Sequence, residues 1–238
     1  MQTAAAAAPA GARAVAWTGA LFFFASLAYF LFSYSTVFGR PASHGPRASA
    51  IAINVLLFTV FALHHSIFAR ERVRLAVARL VPSRLERSFY VWVASALFVA
   101  VIAWWRPVPG VAWTVSGPAW WLLAAAQAGA VWLTLRSAAV LDILELAGVR
   151  QLSPRPGAPE FKRSGPYGWM RHPIYTGWIL MVFCVPDMTM TRLVFAAVSS
   201  FYLLIAIPFE ERSLFAIPGG AYERYARQVR WKLVPGLY

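Results

Sequence analysis

Two short stretches hold most of the residues able to handle charge or protons. The first is Gly165-Pro-Tyr-Gly-Trp-Met-Arg-His-Pro-Ile-Tyr-Thr-Gly177. Its glycines and first proline set a turn, and Pro173 suits the opening position of a helix, where its missing N–H costs nothing. Arg171 and His172 then stand beside a helix N-terminus, a place that favours anions. The plainer alternative is an interfacial turn whose arginine holds a lipid phosphate. The second stretch is Phe209-Glu-Glu-Arg212, at the end of an apolar run. A carboxylate at the centre of a membrane helix costs roughly 2.5–3.5 kcal/mol on insertion scales. The adjacent Glu210 and Glu211, at a membrane boundary, therefore need water, a partner or a bound cation. Farther upstream, Asn54 and His65 fall within about 20° of one helical face, so a polar stripe facing the bundle is expected. His65 is a candidate proton acceptor, or else a histidine satisfied by another helix.

The rest of the chain is built for lipid. Of 238 residues, 60% are hydrophobic and 13% charged, whereas soluble domains carry about a quarter charged. The net charge of +13 fits basic loops against anionic headgroups, and nucleic-acid binding is set aside. The single cysteine, Cys184, excludes an internal disulfide and reads as a core filler. His64 and His65 project about 100° apart on a helix and no other ligand spacing completes a set, so no metal is expected. A dinucleotide or phosphate loop is absent too, and the membrane fold itself must hold any cofactor.

The expected fold is all-α, a polytopic bundle of five to six transmembrane helices, with six favoured. Apolar runs cover 14–38, 50–69, 88–105 and 118–141, each near the ~20 residues that cross a bilayer. Two more cover 174–185, which is short, and 193–209, with Pro186 and Asp187 as the turn between them. With the N-terminus inside, seventeen of the 22 Lys and Arg fall on cytoplasmic segments. Arg40, Arg47, Arg106 and Arg192 fall outside, and Arg136 lies within a span. This asymmetry supports six spans with both ends cytoplasmic. Trp104, Trp105, Trp113, Trp120 and Trp121 form the expected outer aromatic belt. Residues 1–13 read as a disordered tail and 14–238 as one membrane domain, with the cofactor-binding part in 142–238.

Gly-Pro-Tyr-x-x-x-Arg-His-Pro-x-Tyr-x-Gly, the later Glu-Glu, and Tyr222-x-x-Tyr225-x-x-x-Val229 together resemble the isoprenylcysteine carboxyl methyltransferase and phospholipid methyltransferase superfamily. His65-Ser66, Glu86-Arg87-Ser88-x-Tyr90, Trp105-Arg-Pro-x-Pro-Gly110, Gly148-x-Arg-Gln151 and Pro186-x-Met-Thr189 are similar to its bacterial methanethiol S-methyltransferase branch. The resemblance implies an S-adenosylmethionine site made by Gln151, Tyr167, His172, Pro173, Ile174, Tyr175, Glu210 and Glu211. Prenylcysteine enzymes carry an arginine one turn before the first glutamate, where this chain has Ala206. A small apolar thiol is therefore the favoured acceptor, ahead of a prenylcysteine or phospholipid.

A thiol must ionise before it attacks. Free cysteine titrates near ~8.5, and a nearby cation lowers such a value. Arg171 and Arg87 are the candidates for that electrostatic role, and His65 for the base. The rival reading is an NADPH-dependent membrane reductase of the sterol type, which shares a similar Arg-His-Pro-x-Tyr-x-Gly run but needs more spans.

Overall fold

The computed structural model describes residues 8–68, 73, 77, 79–152 and 163–238. Expectations that fall elsewhere, among them the start of the N-terminal tail, Arg70, Arg72, Arg74, Arg155 and Lys162, lie outside the described residues. Helices dominate: α1 (Ala10–Thr36), α2 (Arg47–Phe68), α3 (Glu86–Trp104), α4 (Pro118–Leu141), the one-turn α5 (Ile143–Leu146), α6 (Pro173–Phe183), α7 (Met190–Phe215) and α8 (Ala221–Gln228). Five are long and apolar enough to cross a membrane: α1, α2, the stretch Ser83–Trp104 that includes α3, α4 and α7. The fifth apolar run, 174–185, becomes α6, whose 11 residues rise only ~16 Å against a hydrocarbon core of ~30 Å.

The chain divides into two compact units. The first draws on Met1–Ser35, Leu56–Trp105 and Asp142–Gly157. Its centre is aromatic: Phe30 packs on Tyr34 and Phe98, and Phe61 on Phe58 and Phe98. Trp92 lies on Phe22, and its indole N–H donates to the Val15 carbonyl at 3.1 Å. Gly19 makes room, since a Cβ there would meet the Trp92 ring at 3.0 Å. Asp142, with φ of 71°, turns the chain out of α4 and caps α5 by accepting from the Leu144 N–H at 3.0 Å. The segment then docks through Ser88 Oγ, which donates to the Gly148 carbonyl at 2.7 Å.

The second unit comprises Thr36–Val55, Arg106–Leu141 and Ala158–Tyr238. Here α6 lies along α4 and α7. A Cβ on Gly177 would come within 3.0 Å of the Ala130 carbonyl and onto Thr134 Oγ1. Apolar helices in lipid gain by such close backbone approach, because their side chains are no better solvated by each other than by acyl chains. At the other end of α6, Pro186 and Asp187 do not form a simple turn. Asp187–Thr189 is a strand, β2, paired antiparallel with β1 (Val111–Thr114). Thr189 then caps α7, its Oγ1 accepting from the Arg192 N–H at 3.1 Å.

The polar stripe expected on α2 is not what Asn54 and His65 form. Asn54 is fully buried and clasps one residue twice, donating to the Arg106 carbonyl at 2.9 Å and accepting from the Arg106 N–H at 2.7 Å. His65 bonds instead to Tyr90. The aromatic belt is also partial: Trp104, Trp120 and Trp121 are exposed, but Trp105 is buried and Trp113 gives its indole N–H to the Val185 carbonyl. Asn54→Leu should leave both Arg106 backbone groups without a partner, at about 1–3 kcal/mol each. A clear drop in the thermal midpoint of detergent-solubilised protein is expected, and an unchanged midpoint would refute the clasp.

Candidate active site in the second unit

The motif backbone is fixed first. Gly165–Gly168 forms a single helical turn with Gly165 at φ of 59°. Pro173 opens α6, so the amides of Arg171 and His172 remain outside the helix and find partners in the tail. They donate to the carbonyls of Trp231 at 2.9 Å and Lys232 at 2.8 Å. Thr176 Oγ1 donates to the Leu233 carbonyl at 2.8 Å. The backbone oxygen of Tyr238 in turn gathers the N–H groups of Lys232, Leu233 and Val234. Two segments about sixty residues apart thus set each other's geometry.

The two carboxylates divide their work. Glu211 is buried and fully committed. Its Oε1 accepts from Arg171 Nε at 2.6 Å and from the Tyr222 hydroxyl at 3.1 Å, with His172 Nε2 at 3.3 Å. Lys232 Nζ stands 3.6 Å from Oε2. Arg171 also turns Nη1 inward, donating to the carbonyls of Val229 at 3.0 Å and Arg230 at 2.9 Å. A guanidinium–carboxylate pair this buried holds only because further hydrogen bonds satisfy both ions. Glu210 differs: its side chain is 43% exposed, and it accepts from the Tyr175 hydroxyl at 2.8 Å. His172 Nδ1 lies 3.7 Å from it, and the His172 and Tyr175 rings stack at 5.3 Å. Pro208, two residues earlier inside α7, supplies no N–H to the Leu204 carbonyl and so breaks the helical ladder just before the pair.

Phenols complete the group. Tyr222 and Tyr225, on one face of α8, pack together with Val229 just past its end. Tyr225 donates to the Tyr167 carbonyl at 2.9 Å. Burial pushes the Tyr225 hydroxyl up to about 12, against the pull of Arg171 and Arg163. Burial also raises Tyr167, helped by Tyr225 and Glu210, and raises Tyr222, helped by Glu211. All three therefore stay protonated donors at neutral pH.

Of the residues expected at the site, Tyr167, Arg171, His172, Pro173, Ile174, Tyr175, Glu210 and Glu211 gather in this unit. His65, Arg87 and Gln151 belong to the first unit. There the His65 Nδ1 shares a short hydrogen bond with the Tyr90 hydroxyl, the Arg87 guanidinium lies 5.0 Å from the Tyr90 ring, and His64 stacks on that ring. Gln151 Oε1 is buried and, among the described residues, without a hydrogen-bond partner. Sequence reasoning missed Tyr222, Lys232 and Tyr90 as members of these groups. The Tyr222-x-x-Tyr225-x-x-x-Val229 spacing, one helical face, was the available signal for the first.

Five helices of spanning length, with a carboxylate–imidazole–phenol group at the end of the last, define a membrane-embedded enzyme. The chain is 37% identical over 191 residues to the methanethiol S-methyltransferase of Mycobacterium tuberculosis, covering 77% of this chain and 78% of that protein. It is 35% identical over 187 residues to the methanethiol S-methyltransferase of Crocosphaera subtropica, covering 76% and 73%. Nurim of Danio rerio is 29% identical over 176 residues, covering 68% and 64%. No family profile and no solved structure matches. The chain belongs to the methanethiol S-methyltransferase family, within the isoprenylcysteine carboxyl methyltransferase-like superfamily, and is a methyltransferase.

Proposed function

We propose that this chain methylates methanethiol to dimethyl sulfide with S-adenosylmethionine as donor, in the bacterial inner membrane with both termini cytoplasmic. The observation that carries the site assignment is the contrast between the carboxylates: Glu211 is consumed internally, while Glu210 keeps lone pairs and exposure for a cationic ligand. A carboxylate, an imidazole and a phenol held together suit a sulfonium cofactor with an amino-acid tail and ribose hydroxyls. S-adenosylmethionine supplies an electrophilic methyl carbon on positively charged sulfur.

The residues of the chain bind and orient. Glu210 offsets the positive charge, Tyr175 and His172 flank it with a stacked face, and Pro173 and Ile174 present apolar surface at the start of α6. Tyr167 is held by the Tyr225 hydroxyl through its backbone. Holding reactants in line at about 3–3.5 Å supplies much of the acceleration, and exclusion of water favours a step that cancels opposite charges.

For the acceptor, Arg171 is assigned a structural role because its charge is already paired with Glu211. The electrostatic role falls to Arg87. His65 Nδ1 is engaged by the Tyr90 hydroxyl, so that nitrogen serves as a base only once the bond is given up. Ala206 one turn before Glu210 leaves no cation for a prenylcysteine carboxylate, which favours a small thiol.

The test is a headspace assay on purified protein with S-adenosylmethionine and methanethiol. Wild type should release dimethyl sulfide, and Glu210→Gln should release at least a hundredfold less, with calorimetric binding of S-adenosylmethionine lost and the thermal midpoint unchanged. Retained cofactor affinity in folded Glu210→Gln would refute the site. Cofactor binding without dimethyl sulfide would move the acceptor to a lipid.

A further inference from the structure

The same tail segment borders a cleft of about 400 Å³, lined by Gly168, Trp169, Gln228, Val229, Arg230, Trp231 and Pro235. None of these residues belongs to the cofactor group proposed above. Trp169 is 59% exposed and Trp231 38%. The Arg230 side chain is exposed, and among the described residues it makes no hydrogen bond or ion pair, only its backbone oxygen being engaged. By contrast, Arg227 is tied to Glu223 at 2.6 Å and Arg224 to the Gly219 carbonyl at 2.7 Å.

We propose that this cleft seats the headgroup of an anionic phospholipid, with its phosphate on Arg230 and its glycerol region between Trp169 and Trp231. Three observations converge. The cleft residue Trp231 and its neighbour Lys232 are bonded to Arg171 and His172 at the start of α6, and Arg171 is paired with Glu211 near the end of α7, so the segment lies where the apolar spanning stretch ends. Exposed tryptophans at such a boundary belong to the headgroup layer, where an apolar ring with a polar edge is best solvated. The charge is complementary: from Ala221 onward the tail holds Arg224, Arg227, Arg230 and Lys232 against the lone acid Glu223. A lysine or arginine near an anionic surface contributes a binding gain of roughly fivefold.

The lipid has a route to the chemistry. Val229 and Arg230 line the cleft and hold Arg171 with their carbonyls. A lipid that immobilises this segment also fixes Arg171 and, through it, Glu211 and His172. The expected consequence is tighter cofactor binding in anionic bilayers, and this consequence rests on the function proposed above.

The test uses the full chain in nanodiscs of phosphatidylcholine, with or without phosphatidylglycerol. Native mass spectrometry after release into detergent counts the lipid retained. Wild type should keep phosphatidylglycerol in preference to phosphatidylcholine, Arg230→Gln should lose that preference about fivefold, and Arg230→Lys should restore most of it. All three should melt together. Calorimetry should show S-adenosylmethionine binding several-fold more tightly in the anionic discs for wild type and Arg230→Lys but not for Arg230→Gln. Equal retention by wild type and Arg230→Gln would overturn the proposal. So would displacement of the lipid by S-adenosylmethionine, which would make the cleft part of the cofactor site, or by inorganic phosphate, which would make it a free-anion site. Lipid retention requires no turnover, so a failure of the methyltransfer assay leaves this readout intact.

Discussion

Glu211→Ala should collapse the motif. The substitution removes the acceptor of Arg171 Nε and of the Tyr222 hydroxyl in one step. It strands a guanidinium whose side chain is only 9% exposed. Breaking a buried pair by deleting one partner costs about 3–5 kcal/mol, because the surviving charge has no water to return to. For a chain of this size that corresponds to a fall of order 10 °C in the thermal midpoint. Cofactor binding should disappear with it. Glu211→Gln keeps an acceptor but no charge, and should fall between. The comparison with Glu210→Gln is the sharper measurement: the neighbouring carboxylate should cost binding and leave the midpoint in place. Equal thermal losses at both positions would contradict the division of labour between them.

Gly177→Val is expected to be comparably severe for a different reason. The Cβ of any substituent would press on the Ala130 carbonyl at 3.0 Å and the Thr134 backbone nitrogen at 3.1 Å, both parts of a helix backbone that cannot rotate away. Overpacking typically costs 1–3 kcal/mol, and a β-branched group against backbone belongs at about the upper end. Because α6 opens with the motif's Pro173, parting it from α4 should also displace Tyr175 and lower cofactor affinity at least tenfold. Gly177→Ala should show a milder form of both effects, and wild-type melting in Gly177→Val would refute the close approach. Gly129, where an added Cβ meets nothing within 4 Å, is the control position.

The spanning helices were legible because hydropathy alone decides them. The run read at 118–141 is α4 residue for residue, and the others shift by a few positions at their ends. The motif was legible because Gly, Pro and adjacent charges have few innocent uses inside an apolar chain. What stayed hidden depended on contacts distant in sequence. Nothing local in Val111-Ala-Trp-Thr114 distinguishes it from a loop until it pairs with Asp187–Thr189. The functional difference between Glu210 and Glu211 is likewise invisible, since adjacent helical residues point about 100° apart and only packing tells which one turns inward. Asn54 looked like a partner for His65 by helical phase, yet the backbone of Arg106 offered it two hydrogen bonds at once.

The dependence of Arg171 on the tail bears on the order of synthesis. The arginine leaves the ribosome 58 residues ahead of the Val229 carbonyl that holds it. At ~5–20 residues per second the delay is several seconds. During that interval α7 must be delivered to the bilayer, and Glu211 arrives 40 residues after Arg171 as its first ionic partner. Arg171 is thus the guanidinium partner of Glu211 on the N-terminal side of α7, and Tyr222 and Lys232 follow it in the tail. The ion pair between the motif and the last spanning helix is therefore available to the nascent chain before the bonds of the tail, and the tail seals what that pair began.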